Sequence, residues 1–117
     1  MTDAEQAQVV KTLPFYVPIT IPVQKDVKGM NAPAKSIGYD VWWVVNKSVS
    51  DAAVYDMLKV IADPNNLKGL ANTASYWKSL SGKFDALVQH KVPVHPGAAR
   101  YWKERGVKVP GEIVQSF

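Results

Sequence analysis

The stretch Lys35–Asn46 carries the most distinctive pattern of apolar and polar positions in the chain. Its sequence is KSIGYDVWWVVN, in which the first half alternates and Val41–Val45 is apolar at every position. β-Branched and aromatic residues favour strands, and a strand that is apolar on both faces must be covered on both. We therefore predict one long central strand over Lys35–Asn46, buried inside an α/β domain with Trp42 and Trp43 in its core.

The segment that precedes this strand is predicted to be extended and to lie at an edge. Prolines recur every four residues in Leu13–Val23, and each one removes a backbone donor that a central strand would need. From Phe15 to Ile21 every second residue is apolar. This alternation indicates that one face of the segment lies on a core.

Helices are predicted where apolar residues recur every three or four positions next to capping residues. The predicted helices are a short one that begins after Thr2 and ends before Pro14, then Asp51–Ala62, Pro64–Ala71, Ala74–His90 and Pro96–Arg105. A bend near Asn72 separates the third from the fourth. Gly106 is expected to be a left-handed residue that ends the last helix, and the tail Val107–Phe117 is expected to be irregular.

Composition narrows the class of protein without defining a function. The chain has 117 residues, a net charge of +4 and no cysteine. We find no repeat or linker, so residues 1–117 are expected to form a single domain or part of one. No apolar run reaches membrane-spanning length, and the N-terminus lacks the pattern of a secretory signal. The basic residues are scattered, which leaves nucleic-acid binding as a weak alternative and gives no reason to expect a nucleic-acid partner.

The sequence contains no recognisable pattern of catalytic or metal-binding residues. His90 and His95 are five residues apart and have no neighbouring cysteine or carboxylate, so neither a metal site nor a cofactor is expected. No glycine-flanked serine or glycine-rich phosphate loop is present, and we therefore expect no enzymatic activity. His95 directly precedes Pro96, which predicts a structural role at the start of a helix.

The stretch Val92–Gly106, VPVHPGAARYWKERG, resembles the C-terminal signature of the TAXI-type solute receptors of tripartite (TRAP) transporters. That signature has a proline, an apolar residue, His-Pro-Gly-Ala, an aromatic pair and a Glu-x-Gly helix end. The matching positions are Pro93, Val94, His95, Pro96, Gly97, Ala98, Tyr101, Trp102, Glu104 and Gly106. Two upstream stretches, Pro14–Pro22 and Val54–Lys59, resemble segments of the same family in the same order.

The chain departs from this family in two respects. After Ile21-Pro22 the family has a glycine-rich turn with a tyrosine, whereas Gln24–Val27 stand here. A ligand contact made by that tyrosine would therefore be missing. The receptors of this family are also roughly two to three times as long as this chain, because they consist of two lobes, each of typical domain size. The chain thus resembles only their C-terminal part.

The resemblance implies a fragment of a periplasmic-binding-protein type II fold, with the long central strand and three to four helices. In such receptors two lobes close by hinge motion on a small organic acid, for example glutamate, and then dock on membrane subunits of the transporter. It also implies a periplasmic location. Tyr39 and Trp42 are the candidates for ligand contact, and His95, Pro96, Gly97 and Ala98 form the structural motif.

Arginines usually hold carboxylate ligands, but the two in this chain are poorly placed for it. Arg100 and Arg105 both fall in the last predicted helix, on the face opposite Ala99 and Trp102. They are therefore expected to point outward, which would leave this part of the receptor as a scaffold.

Two other functions stay open from the sequence. One is a self-associating interaction module, because a long apolar strand with few partner strands would leave an edge and apolar surface exposed. On that ground the isolated chain is expected to form a homo-oligomer. The other is a basic nucleic-acid-binding domain, which binding to heparin or DNA at low salt would support.

Overall fold

The computed structural model describes residues 1–80 and 82–115 of the chain. Its α-helices are α1 (Asp3–Thr12), α2 (Asp51–Ile61), α3 (Pro64–Thr73), α4 (Asp85–Gln89) and α5 (Pro96–Glu104), and its strands are β1 (Tyr16–Ile21) and β2 (Ala34–Tyr39). Short 3₁₀ turns span Ser75–Ser79 and Gly111–Ile113. These helices and strands confirm the predicted α/β class. The chain divides into two compact units, Met1–Trp42 and Trp43–Phe117.

The first unit consists of α1 and an antiparallel hairpin. β1 pairs with β2 from Tyr16 opposite Tyr39 to Ile21 opposite Ala34. Helix α1 begins with a capping box, in which the Thr2 hydroxyl accepts from the Glu5 amide at 3.2 Å and the Thr2 amide donates to the Glu5 carboxylate at 2.6 Å. The predicted short N-terminal helix and the extended, proline-bearing strand are both confirmed.

Gln6 attaches α1 to the hairpin. Its side chain is buried, and Nε2 donates to the carbonyl oxygens of Ile19 at 3.0 Å and of Ser36 at 2.6 Å. Ile19 and Ser36 are cross-strand partners, so one amide group bonds to both strands. Burial of an amide is favourable only when its donors are used, and these bonds use them.

The predicted central strand is wrong over its second half. β2 ends at Tyr39, and Val41–Val45 has no regular structure. Trp42 and Trp43 are 40% and 50% exposed, so they are not core residues. A strand that is apolar on both faces needs a covering layer on each side, yet β1 is the only strand that pairs with β2 among the described residues. The apolar face of β1 is also less covered than predicted, since Phe15 and Ile19 are exposed.

The second unit packs α5 against α2 and against the chain that follows α5. Val54 and Leu58 of α2 and Tyr101 of α5 are buried in this unit. Ala99 of α5 joins a separate apolar core, whose buried members are Phe84, Val94, Ala99, Val109 and Ile113. The prediction of an irregular tail therefore missed a structural role: Val109 and Ile113 complete this core, and Val94 forms a parallel bridge with Val114. Residues 116 and 117 of that tail lie outside the described residues.

Helices α2 and α3 both begin at side-chain caps, of which the sequence indicated Ser50, whereas Asp63 was interpreted only as the end of α2. The Ser50 hydroxyl accepts from the Ala53 amide at 3.2 Å, and the Asp63 carboxylate accepts from the Asn65 amide at 2.9 Å. Pro64 then occupies the first turn of α3, where a missing N–H costs nothing. Both predicted helices are confirmed.

The predicted helix Ala74–His90 is wrong as a continuous element. Its ends form the Ser75–Ser79 turn and α4, while Leu80 and residues 82–84 are not helical, and Ser81 lies outside the described residues. Gly82 gives a physical reason. A Cβ atom there would lie 2.7 Å from a Val107 methyl group and 2.9 Å from the Trp102 ring. Close packing at Gly82 and its low helix propensity together favour the break.

Candidate functional site

His95 stands at the junction of three segments of the second unit. It is the N-cap residue of α5, and its Nδ1 accepts from the Gly97 amide at 3.2 Å. Its Nε2 lies 3.0 Å from the Val49 carbonyl oxygen, which can only accept. The Asp51 carboxylate lies 3.7 Å from Nδ1. Histidine at this position thus joins the start of α5 to the loop before α2.

Pro96 and Gly97 bring α5 unusually close to α2. Pro96 fills the first turn of α5, and Gly97 is buried. A Cβ atom on Gly97 would lie 2.3 Å from the Asp51 carbonyl oxygen, which is backbone and cannot turn away. Only glycine fits that approach. Ala98 then packs against the apolar core, so the His95–Ala98 motif forms a helix-packing junction.

The C-terminal residues of the stretch Val92–Gly106 end helix α5. The Gly106 amide donates to Lys103 O and the Val107 amide donates to Trp102 O, both at 3.0 Å. Gly106 has a φ of +76°, as a left-handed residue after a helix requires. This is the Schellman arrangement, and it confirms the predicted position of the helix end.

Tyrosines and charged side chains connect α2 and α5 at the surface. The Tyr55 hydroxyl donates to the Glu104 carboxylate. That hydrogen bond, followed by desolvation, raises the pKa of Tyr55 because both favour the neutral phenol. The Arg100 guanidinium carbon lies 3.9 Å from the centre of the Tyr55 ring, and the rings of Tyr55 and Tyr101 meet edge to face at 6.0 Å.

The two residues singled out for ligand contact are in the first unit. Tyr39, at the end of β2, is 69% exposed, and its ring meets that of Tyr16 at 6.5 Å. Trp42 follows in the segment without regular structure. A shallow, open depression in the same unit contains neither of them. Its lining residues are Asp3, Gln6, Ala7, Val10, Lys11 and Pro18.

Two features are absent from the described residues, 1–80 and 82–115. In these ranges no group of three or more histidine, aspartate or glutamate side chains could hold a metal ion. In the same ranges no helix has the length and apolar character needed to cross a bilayer.

Sequence reasoning missed Gln6 and Gly82 as structural residues. Gln6 is one of several polar residues in α1, and no local signal distinguishes it, since its carbonyl partners are 13 and 30 residues away. Gly82 was noted only as a poor helix residue, although a glycine within an apolar pattern can also mark a close approach. Gly97 did stand out, because it belongs to the His-Pro-Gly-Ala motif of the family resemblance.

The helices and the two strands of the described residues fit a fragment of a periplasmic-binding-type fold. The model of the NMT1-like family matches residues 1–106, and the chain belongs to this family. Membership places it with periplasmic-binding-type proteins and supports a solute-binding-type protein that acts outside the cytoplasm. A comparison with curated proteins gave no match.

Proposed function

We propose that the chain is the C-terminal part of a TAXI-type solute-binding component of a TRAP transporter. The family match over residues 1–106 supports a solute-binding protein, and the stretch Val92–Gly106 with its His-Pro-Gly-Ala motif carries the finer assignment to the TAXI type. His95, Pro96 and Gly97 form the α2–α5 junction, and Ala98 packs against the apolar core. These positions therefore suit a receptor scaffold that must keep its shape while lobes move.

The proposed ligand is a small carboxylate such as glutamate, bound without covalent chemistry, so the protein is not an enzyme. Carboxylates are commonly held by arginine and by backbone donors. The guanidiniums of Arg100 and Arg105 instead stack on tyrosine rings of the second unit. In this proposal the ligand contacts come mainly from the rest of the receptor, and Tyr39 and Trp42 stay the candidates within this chain.

The proposed partners are the membrane subunits of the transporter, and the proposed location is the periplasm. The closed receptor would deliver its solute by docking on those subunits. Two observations test this together: the DNA beside the gene, and co-purification of the chain with the products of adjacent genes. We expect TRAP membrane-subunit genes next to it, and coding sequence upstream of the Met1 codon that completes the receptor. Neighbouring genes of unrelated function and failure to co-purify with any membrane subunit would contradict the proposal.

A self-associating interaction module is the second candidate function, because one observation favours it. Tyr39, Val41 and Val44 are 69%, 62% and 77% exposed, and Trp42 and Trp43 are also exposed. A run of exposed apolar residues promotes association. Saturable association that gives one defined oligomer, from a gene with no transporter neighbours, would support this function over the first.

A further inference from the structure

Two tyrosines of the second unit hold cations at the surface. The Arg100 guanidinium carbon lies 3.9 Å from the Tyr55 ring centre, and the Lys59 Nζ lies 5.6 Å from the same ring. The Arg105 guanidinium carbon lies 5.0 Å from the Tyr101 ring centre. Tyr101 is buried, so its ring is a fixed support. We call these five residues the tyrosine-backed basic surface.

The cations of this surface have few acidic partners in the described part of the chain. Arg105 and Lys59 form no ion pair there, and the carboxylate nearest to Arg100 is Glu104, 3.9 Å from Nε. Glu104 is shared, because it also accepts from Tyr55. The Arg100 side chain is 52% exposed, and Arg105 and Lys59 are exposed as well. Three cations therefore face solvent with two carboxylates near them, the partly engaged Glu104 and Asp56.

We propose that the tyrosine-backed basic surface binds a carboxylate-rich segment of a partner protein. A guanidinium held over an aromatic ring can keep N–H groups at its edge available, and this edge matches a carboxylate in two parallel hydrogen bonds. Stacking also fixes the side chain before binding, which lowers the entropy lost on association. The excess of positive charge completes the match to an acidic segment.

A nucleic acid fits this surface less well. Glu104 lies between the arginines in the sequence and accepts a hydrogen bond from Tyr55, and Asp56 adjoins Tyr55. A duplex carries a charge about every 1.7 Å along its axis, so it would bring phosphates against both carboxylates. Carboxylates spaced along a peptide can meet the guanidiniums and avoid these two anions.

The test measures binding of fluorescent poly-L-glutamate to the full chain by anisotropy at low and moderate salt. We expect saturable binding that weakens with salt. The double variant R100Q/R105Q should bind at least about tenfold more weakly, because it removes both guanidiniums that can hydrogen-bond to carboxylates. The charge-matched control K25Q/K28Q changes two exposed lysines of the first unit and should lose less than about threefold, as expected for screened charges.

A second variant separates planar recognition from simple charge. R100K/R105K keeps the charge but loses the planar fork, and it should also bind more weakly than the original chain. An equal loss in K25Q/K28Q and R100Q/R105Q would overturn the proposal, as would no binding by the original chain. Tighter binding of duplex DNA through the same arginines would overturn it in favour of a nucleic-acid partner. Circular dichroism of each variant verifies that the fold is retained.

Discussion

At the scale of single residues, Gly97 is fixed by the backbone of another helix. The Asp51 carbonyl oxygen would lie 2.3 Å from a Cβ atom at this position. We expect Gly97→Ala to lower the free energy of unfolding by about 1–3 kcal/mol, the usual cost of overpacking. Urea denaturation measures this change.

The matched control is the same substitution at Gly69 in α3, where a Cβ atom would have nothing within 4 Å. There alanine should stabilise by up to about 1 kcal/mol through its higher helix propensity. If Gly97→Ala and Gly69→Ala changed the free energy of unfolding in the same direction, α5 would not approach Asp51 as closely as described.

His95 is the second residue with a testable role. His95→Ala removes the cap at Gly97 and the bond to the Val49 carbonyl, and should cost about 1 kcal/mol or somewhat more. His95→Asn keeps a capping side chain and should recover part of that loss. Calorimetry with zinc gives an independent readout, since stoichiometric zinc binding that depends on His95 would contradict a purely structural role.

The contrast between His95 and Gln6 shows what sequence can reveal about single residues. His95 was found because capping and proline signals are local, lying within two positions of it. Gln6 was not found, because its structural role depends on the carbonyl groups of Ile19 and Ser36, which only the folded hairpin brings together. Gly97 was found as part of a motif, but its contact with Asp51 required the structure.

At the scale of elements, the end of α5 depends on Gly106 at a φ of +76°. Gly106→Val should destabilise the protein by at least about 1 kcal/mol, because a β-branched residue is strained in that conformation. Gly111→Val is the control, since Gly111 is exposed and does not have a positive φ. Equal thermal midpoints for the two variants would mean that α5 ends differently.

The start of α1 gives a prediction about pH. The backbone hydrogen bond with Thr2 is the main cause that lowers the pKa of the exposed Glu5 from its usual 4.5. Because the folded pKa lies below the unfolded one, this stabilisation is present above about pH 4.5 and is lost as the pH falls through the folded value. Thermal midpoints of the original chain and of Glu5→Gln should differ at pH 6 and converge as the pH falls below the folded pKa of Glu5. Parallel curves across that range would contradict the capping box.

Elements were predictable where their signals are local. Ser50 and Pro96 mark helix starts that the structure confirms. The prediction of one long strand was wrong because burial of Val41–Val45 would need covering layers of secondary structure that the described residues do not provide. The prediction of a continuous helix Ala74–His90 was wrong because close packing at Gly82 outweighed the helical spacing of the apolar residues.

At the scale of the whole molecule, the exposed apolar residues from Tyr39 to Val45 dominate the expected behaviour. Their exposed fractions range from 37% for Val45 to 77% for Val44, apart from the polar Asp40 within the run. Apolar surface and an open strand edge both favour association. We predict that the chain forms a dimer or a larger oligomer, and that Trp43→Ser together with Val44→Ser shifts it toward monomer. Sedimentation velocity at several concentrations measures this shift, and an original chain that stays monomeric throughout would contradict the prediction.

The central claim about this chain is that it is the scaffold part of a solute receptor whose ligand contacts lie mostly elsewhere. Calorimetric titration of the 117-residue chain with glutamate and related small carboxylates tests that claim most directly. We predict no measurable heat of binding from the chain alone, in a sample that sediments as an oligomer. A monomer that binds a small carboxylate with about micromolar affinity, equivalent to about 8 kcal/mol, would contradict the account and show that the chain is a complete small receptor.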